Sequence, residues 1–127
     1  MRPATTVLLV DDEVLITEML TDVLIDNGFG VVVANDAAEA LAAIAATPSI
    51  AMLVTDVNMG TGDDGWTVAR RAREALPALA VIYTTGGASH EFIEHAVPGS
   101  VLLAKPFAVG QLVSAVSLLL TGPPPAE

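Results

Sequence analysis

Ile50-Ala51-Met52-Leu53-Val54-Thr55-Asp56 is the stretch on which the fold turns. Apolar residues run from Ile50 to Val54 without interruption and then meet a threonine and a carboxylate. A strand with one solvated face alternates apolar and polar residues. An unbroken apolar run of strand length instead suits a central strand covered on both faces, as in a parallel sheet. The flanking sequence supplies the rest of such a sheet. Val7-Leu8-Leu9-Val10 is a first strand that stops abruptly at Asp11-Asp12-Glu13, and Val31-Val32-Val33 is a second. Leu79–Tyr83 reads as a fourth and Val101-Leu102-Leu103 as a fifth.

Helical segments separate these strands. Ile16, Leu20, Val23 and Leu24 fall on one helix face, and Asn27-Gly28 ends that helix, since glycine enters a left-handed cap without steric cost. Asp36, with Glu39 three residues later, marks the start of a second helix through Ile44, closed at Thr47-Pro48. A Gly-rich loop from Gly60 to Gly65 leads into a third helix near Trp66–Ala75. Ser89–His95 is a short fourth. Val109, Leu112, Val113, Val116 and Leu120 form one face of a fifth, ending near Thr121-Gly122. This alternation predicts an α/β fold, a doubly wound five-stranded parallel sheet with five helices on its two faces.

The 127 residues fit one domain. It is assigned to residues 1–122, with 123–127 as a flexible proline-rich tail. Although 53% of the chain is hydrophobic, no run approaches the ~18–20 apolar residues of a membrane span. The start is also too poor in apolar residues before Asp11 for a secretory signal. A cytoplasmic protein that does not engage the membrane is expected. The absence of cysteine excludes disulfides, thiolate metal sites and cysteine nucleophiles. Fifteen acidic against five basic residues give a formal charge of −10, which argues against direct nucleic-acid binding. Arg2, Arg70, Arg71 and Arg73 account for the other cations, so Lys105 is the only lysine.

Open parallel sheets bind ligands at the carboxyl ends of their strands, where strand order reverses. The first strand ends at Asp11-Asp12, the third at Asp56, the fourth at Thr84-Thr85 and the fifth at Lys105. Each residue has an ordinary reading. Asp12 can cap the first helix, Asp56 can make an Asx turn, Thr85 can serve the loop at Gly86-Gly87, and Lys105 can be a solvated charge. Together they are harder to explain that way. Two carboxylates 4 Å apart repel by roughly 1 kcal/mol in water and about 4 at an effective dielectric near 20, so three in a cluster call for a cation. All-oxygen ligands suit Mg2+, which binds through one or two carboxylates plus a phosphoryl group. A carboxylate can then act as nucleophile toward phosphorus, with an ammonium and a hydroxyl facing the phosphoryl oxygens.

Val-Asp-Asp-Glu at 10–13, Thr-Asp-Val-Asn-Met at 55–59, Thr-Gly at 85–86 and Lys-Pro-Phe at 105–107, in this order and at these separations, resemble the receiver domain of two-component response regulators. The resemblance covers Val7 to Leu120. It implies the flavodoxin-like strand order 2-1-3-4-5 and a phosphorylation switch with Asp56 as phosphoacceptor. It further implies that Asp12, Asp56 and the backbone carbonyl of Asn58 bind Mg2+ directly, and that Asp11 does so through a water. Thr85 would swing toward the phosphoryl group and Lys105 would pair with it. A cis peptide is implied at Lys105-Pro106. The implied partner is a histidine kinase or histidine phosphotransfer protein, met through exposed first-helix residues such as Leu15, Glu18 and Asp22.

The sequence departs from the family pattern twice. Gly60 stands where a proline is usual, and Gly60–Asp64 looks one residue longer than usual. Three residues before Lys105, where the family often couples a Tyr or Phe to the threonine, stands Leu102. The signalling face is therefore expected to work by aliphatic repacking. It is made by helix four, strand five and helix five, carries Leu102, Phe92 and Pro106, and is where a homodimer would form. His90 and His95 are poorly spaced for one metal site on a helix. Arg70, Arg71 and Arg73 beside Glu74 read as a solvated helix face, and Trp66 as packing at the start of helix three.

Two other readings compete. A Mg2+-dependent phosphatase with an Asp nucleophile needs a second Asp two residues after one that follows the first strand, a spacing Asp11-Asp12-Glu13 lacks. A pseudo-receiver acting only as a protein-interaction module is opposed by the full set of site residues and kept open by Leu102 and the altered loop. Met1 and the tapering tail favour a stand-alone regulator over a relay or a piece of a hybrid kinase.

Overall fold

Apolar residues on both faces of each strand have to be covered twice, and the chain does this with one sheet between two helical layers. The structure is a computed structural model and describes residues 5–58, 64–87 and 92–121. Strands β1 (Thr6–Val10), β2 (Gly30–Ala34), β3 (Ile50–Asp56), β4 (Ala80–Thr85) and β5 (Val101–Ala104) pair in parallel in the order β2-β1-β3-β4-β5. The helices are α1 (Val14–Asp26), α2 (Ala37–Ala46), α3 (Gly65–Ala75), the single-turn α4 (Phe92–His95) and α5 (Val109–Thr121). The predicted doubly wound α/β fold and its strand order are both present. No helix among the described residues is long and apolar enough to cross a membrane.

Alternation along the strands builds two cores. Val7 and Leu9 of β1, Met52 and Val54 of β3 and Ile82 of β4 face Leu20 and Leu24 of α1 and Leu112 and Val116 of α5. Leu8, Val10, Leu53, Val81 and Tyr83 face Ala40 and Ile44 of α2 and Trp66, Val68 and Ala72 of α3. The small residues of α2 and α3 let those helices lie close to the sheet.

The element ends follow local chemistry. Gly28, at φ +91°, closes α1. Asp36 Oδ1 accepts from Glu39 N at 2.8 Å, and Glu39 Oε1 accepts in return from Asn35 N at 2.9 Å, one residue before the cap. Asp64 Oδ1 caps α3 by accepting from Thr67 N at 2.9 Å.

Three expectations need correction. Val109 is exposed, because the whole first turn of α5, residues 109–111, faces solvent, and the packed stripe of that helix is Leu112, Ala115, Val116, Leu119 and Leu120. Arg73 does not belong to a solvated face with Arg70 and Arg71; its Nε donates to the Leu79 carbonyl at 2.7 Å and holds the turn before β4. Asp12 does not cap α1, whose N-cap residue is Glu13 without a side-chain cap bond. The loop Gly60–Asp64 up to residue 63, His90 with the start of the expected fourth helix at Ser89, and the tail 123–127 lie outside the described residues.

Candidate functional site

Strand order reverses between β1 and β3, and the residues just past the strand ends gather there. The hydrogen-bond ladder continues one residue beyond β1, β3 and β5 and fixes their positions. Asp11 N donates to Ala34 O at 3.3 Å, Val57 N to Thr84 O at 3.0 Å and Lys105 N to Thr85 O at 2.7 Å. Gly65 contributes from the other side. Its N–H donates to Val57 O at 2.8 Å, and a Cβ there would run into the Asp56 carbonyl oxygen. A bare glycine is what allows α3 to begin directly against the exit of β3.

Asp11 and Asp56 are 3% and 6% exposed, whereas Asp12 and Glu13 face solvent. Each buried carboxylate divides its oxygens between two tasks. Asp11 Oδ1 accepts from Glu13 N at 2.9 Å and Asp56 Oδ1 from Asn58 N at 3.3 Å, both Asx turns. Their other oxygens face Lys105, whose Nζ lies 3.2 Å from Asp56 Oδ2 and 3.3 Å from Asp11 Oδ2. Glu13 Oε1 stands 3.8 Å from the same ammonium. One carboxylate oxygen from each of Asp11, Asp12, Glu13 and Asp56 lies within 4.8 Å of the others.

Burial raises the Asp56 pKa from its ordinary value; Lys105 opposes the rise and the like charge of Asp11 adds to it. Burial alone would lower the Lys105 pKa, but Asp11 and Asp56 outweigh that and raise it, so the ammonium stays charged. Thr85 ends β4 with its Oγ1 accepting from Gly87 N at 3.2 Å. The Lys105-Pro106 peptide is cis. Such a pocket can hold a hard cation and present a carboxylate oxygen to an electrophile.

A sequence model of the response regulator receiver domain matches residues 7–117. This chain belongs to the response regulator receiver family. The receiver is 32% identical over 120 residues to protein PetR of Rhodobacter capsulatus, covering 94% of this chain and 50% of PetR. It is 34% identical over 116 residues to response regulator protein FleR of Pseudomonas aeruginosa, covering 90% of this chain and 24% of FleR. The receiver thus spans half, or less, of these curated relatives. A crystal structure of a response regulator receiver protein from Sinorhizobium medicae matches with TM-score 0.90 at 39% identity, covering 94% of this chain and 96% of that one.

The receiver brings Asp11, Asp12, Asp56 and Lys105 together, with Asn58 tied to Asp56 Oδ1 through its N–H and Thr85 tied to Lys105 N through its carbonyl. The three residues expected on a signalling face are divided. Leu102 and Phe92 pack against the core that contains Tyr83, whereas Pro106 lines a cleft of about 340 Å³ with Ile16, Met19, Lys105 and Phe107. Sequence reasoning missed Glu13 and Gly65 as parts of the site. Glu13 adjoins the paired aspartates, which was a usable signal. Gly65 carried none, since only the close approach of α3 to β3 gives it meaning.

Proposed function

We propose that this receiver is a phosphorylation switch in which Asp56, with Mg2+, accepts a phosphoryl group from a phosphohistidine on a histidine kinase or phosphotransfer protein. The observation that carries this reading is the pairing of Asp56 Oδ2 with Lys105 Nζ at 3.2 Å inside a cluster of four carboxylates. Four carboxylates against one ammonium leave an excess of negative charge, and an all-oxygen donor set fits Mg2+. Asp12, Asp56 and the Asn58 carbonyl would hold the ion directly, and Asp11 through a water. Bound there, the ion would neutralise phosphoryl oxygens as charge spreads over them.

The chain's own groups do the rest. A carboxylate oxygen of Asp56 bonds to phosphorus as the P–N bond to the donor imidazole breaks, the bonding pair leaving with nitrogen. Lys105 exchanges a carboxylate contact for a phosphoryl oxygen, and the Thr85 hydroxyl donates to another. Hydrolysis returns the switch: a water oxygen bonds to phosphorus and Asp56 leaves as free carboxylate. The role is signalling in the cytoplasm rather than turnover.

The donor would dock on α1, where Leu15 is 81% and Met19 50% exposed beside the acidic Glu18 and Asp22. The cleft at Ile16, Met19 and Pro106 continues that surface up to Lys105. Output would leave through the face of α4, β5 and α5 around Leu102 and Phe92, which would also carry a homodimer. Acetyl phosphate with Mg2+, followed by intact mass measurement, tests the reading. One phosphoryl group should appear on the native protein and none on Asp56→Asn; no labelling of the native protein, or equal labelling of the variant, refutes it.

A further inference from the structure

Leu102 leaves β5 without the aromatic ring that the family often couples to the threonine, yet a buried ring stands one strand inward. Tyr83 of β4 is aligned with Leu102 across the β4–β5 ladder and is fully buried. Two residues before Thr85 on the same strand, it projects to the same face of the sheet. Its hydroxyl accepts a 3.1 Å hydrogen bond from Val97 N, in the turn between α4 and β5. The Ser100 hydroxyl donates to Val97 O at 2.6 Å, so that turn is organised around the same spot.

The ring contacts extend to both neighbouring helices. The Trp66 ring lies 4.5 Å from that of Tyr83 at 54°, and Phe92 of α4 meets Tyr83 edge-on at 6.2 Å. Trp66 also reaches His95 at 6.0 Å, which closes a path from α3 through β4 to α4. Trp66 Nε1 is buried with no acceptor among the described residues.

β4 is also tied to both sides of the pocket. Asp56 is in register with Thr84, and Lys105 N donates to Thr85 O at 2.7 Å. We infer that Tyr83 is the positioning residue through which the state of Asp56 reaches α4: movement of Thr85 toward a phosphoryl group is passed along β4 to the Tyr83 hydroxyl, which loosens its hold on Val97 and resets the α4–β5 turn. Leu102, which has no polar atom on its side chain, is a packing neighbour of this device. The inference rests on Asp56 being the phosphoacceptor.

The test loads the full chain with fluoroberyllate and Mg2+ and follows amide exchange at Val97 together with emission from Trp66, the single tryptophan. Exchange at Val97 should become severalfold faster on loading, with a change in Trp66 emission. In Tyr83→Phe, which keeps the ring and removes one oxygen, loading should no longer alter Val97 exchange, while acetyl phosphate labels Asp56 as in the native chain. Leu102→Ala should keep the native response. Unchanged or slower Val97 exchange in the loaded native protein overturns the inference whether or not Tyr83→Phe folds, as does a Tyr83→Phe variant that responds like the native one. Failure of Asp56 to take phosphate at all overturns the phosphoacceptor reading itself, an outcome separated from the others by the mass measurement.

Discussion

Replacing Gly65 with alanine places a methyl group against backbone alone. Its Cβ would run into the Asp56 carbonyl oxygen and stand 2.9 Å from Val57 Cα and 3.0 Å from the Asp56 carbonyl carbon. Carbon atoms prefer separations of about 3.5–4.0 Å, so α3 or the exit of β3 must yield by about 0.5–1 Å. No rotamer change can relieve this, because every atom met is main chain. Overpacking of this kind costs about 1–3 kcal/mol, partly offset by alanine's helix preference of up to ~1 kcal/mol. A net loss of about 1–2 kcal/mol lowers Tm by about 3–10 °C for a domain of this size. The displaced atoms belong to Asp56, and misplacing a reacting group by ~1 Å can cost about 100-fold, so labelling by acetyl phosphate should slow by about 10–100-fold. Gly110→Ala is the matched control. A Cβ at Gly110, in α5, meets nothing within 4 Å, and that variant should gain up to ~1 kcal/mol. Thermal melts and labelling time courses of the two variants decide the matter. A Gly65→Ala protein that melts and labels like the native chain, or tracks Gly110→Ala, refutes the reasoning.

Further outcomes follow from the same pocket and its surroundings. Melting temperature should rise with Mg2+, each tenfold excess over the dissociation constant adding about 1.4 kcal/mol, and Asp12→Asn should lose most of that gain; equal gains in melts across a Mg2+ series count against the proposed ligand set. Lys105→Met, measured with chelator, should lose about 1–3 kcal/mol because Asp11 and Asp56 stay buried without their cation. Mg2+ should narrow that gap, and a gap that widens with Mg2+ in urea titrations would show that the ammonium and the metal do not share one charge deficit. Arg73→Ala should cost about 1–2 kcal/mol by orphaning the Leu79 carbonyl, whereas Arg70→Ala should stay within about 0.5 kcal/mol; equal losses in parallel melts would contradict the distinction drawn between these arginines.

What the sequence makes legible follows from periodicity and from punctuation. The unbroken Ile50–Val54 run announces a strand covered on both faces, and Val54 is indeed shielded by α1 and α5 while Leu53 faces α2 and α3. Because a parallel sheet delivers its strand ends to one rim, the carboxylates, the threonine and the lone lysine group together on sequence order alone. Periodicity fails where a helix begins in solvent before it meets the core, as at Val109, or where a polar side chain is satisfied by its own helix. Thr17 is buried on α1 because its hydroxyl donates to Val14 O at 2.9 Å, which frees its methyl group for the core. Close approach between main chains leaves no trace in composition, so Gly65 was indistinguishable from the other glycines of its loop. Arg73 is illegible for a related reason: its carbonyl acceptor, six residues on, comes within reach only once the chain has turned back.

The distances around Lys105 bear on how such a pocket can switch. Charge-assisted N–H···O bonds settle at about 2.7–2.9 Å when an ammonium is committed to one carboxylate. Here the contacts to Asp56 and Asp11 are 3.2 and 3.3 Å, with Glu13 at 3.8 Å. The ammonium is thus shared among three partners, and giving up any one of them removes only part of its stabilisation. A cation docked tightly on Asp56 would oppose any reaction that consumes that carboxylate's charge. A shared cation can follow the charge as it moves from Asp56 to a group attached to it, while Asp11 and Glu13 keep it in the pocket. The same sharing predicts that the ladder bond from Lys105 N to Thr85 O, rather than the side-chain pairs, keeps the β4 and β5 ends in register throughout the cycle.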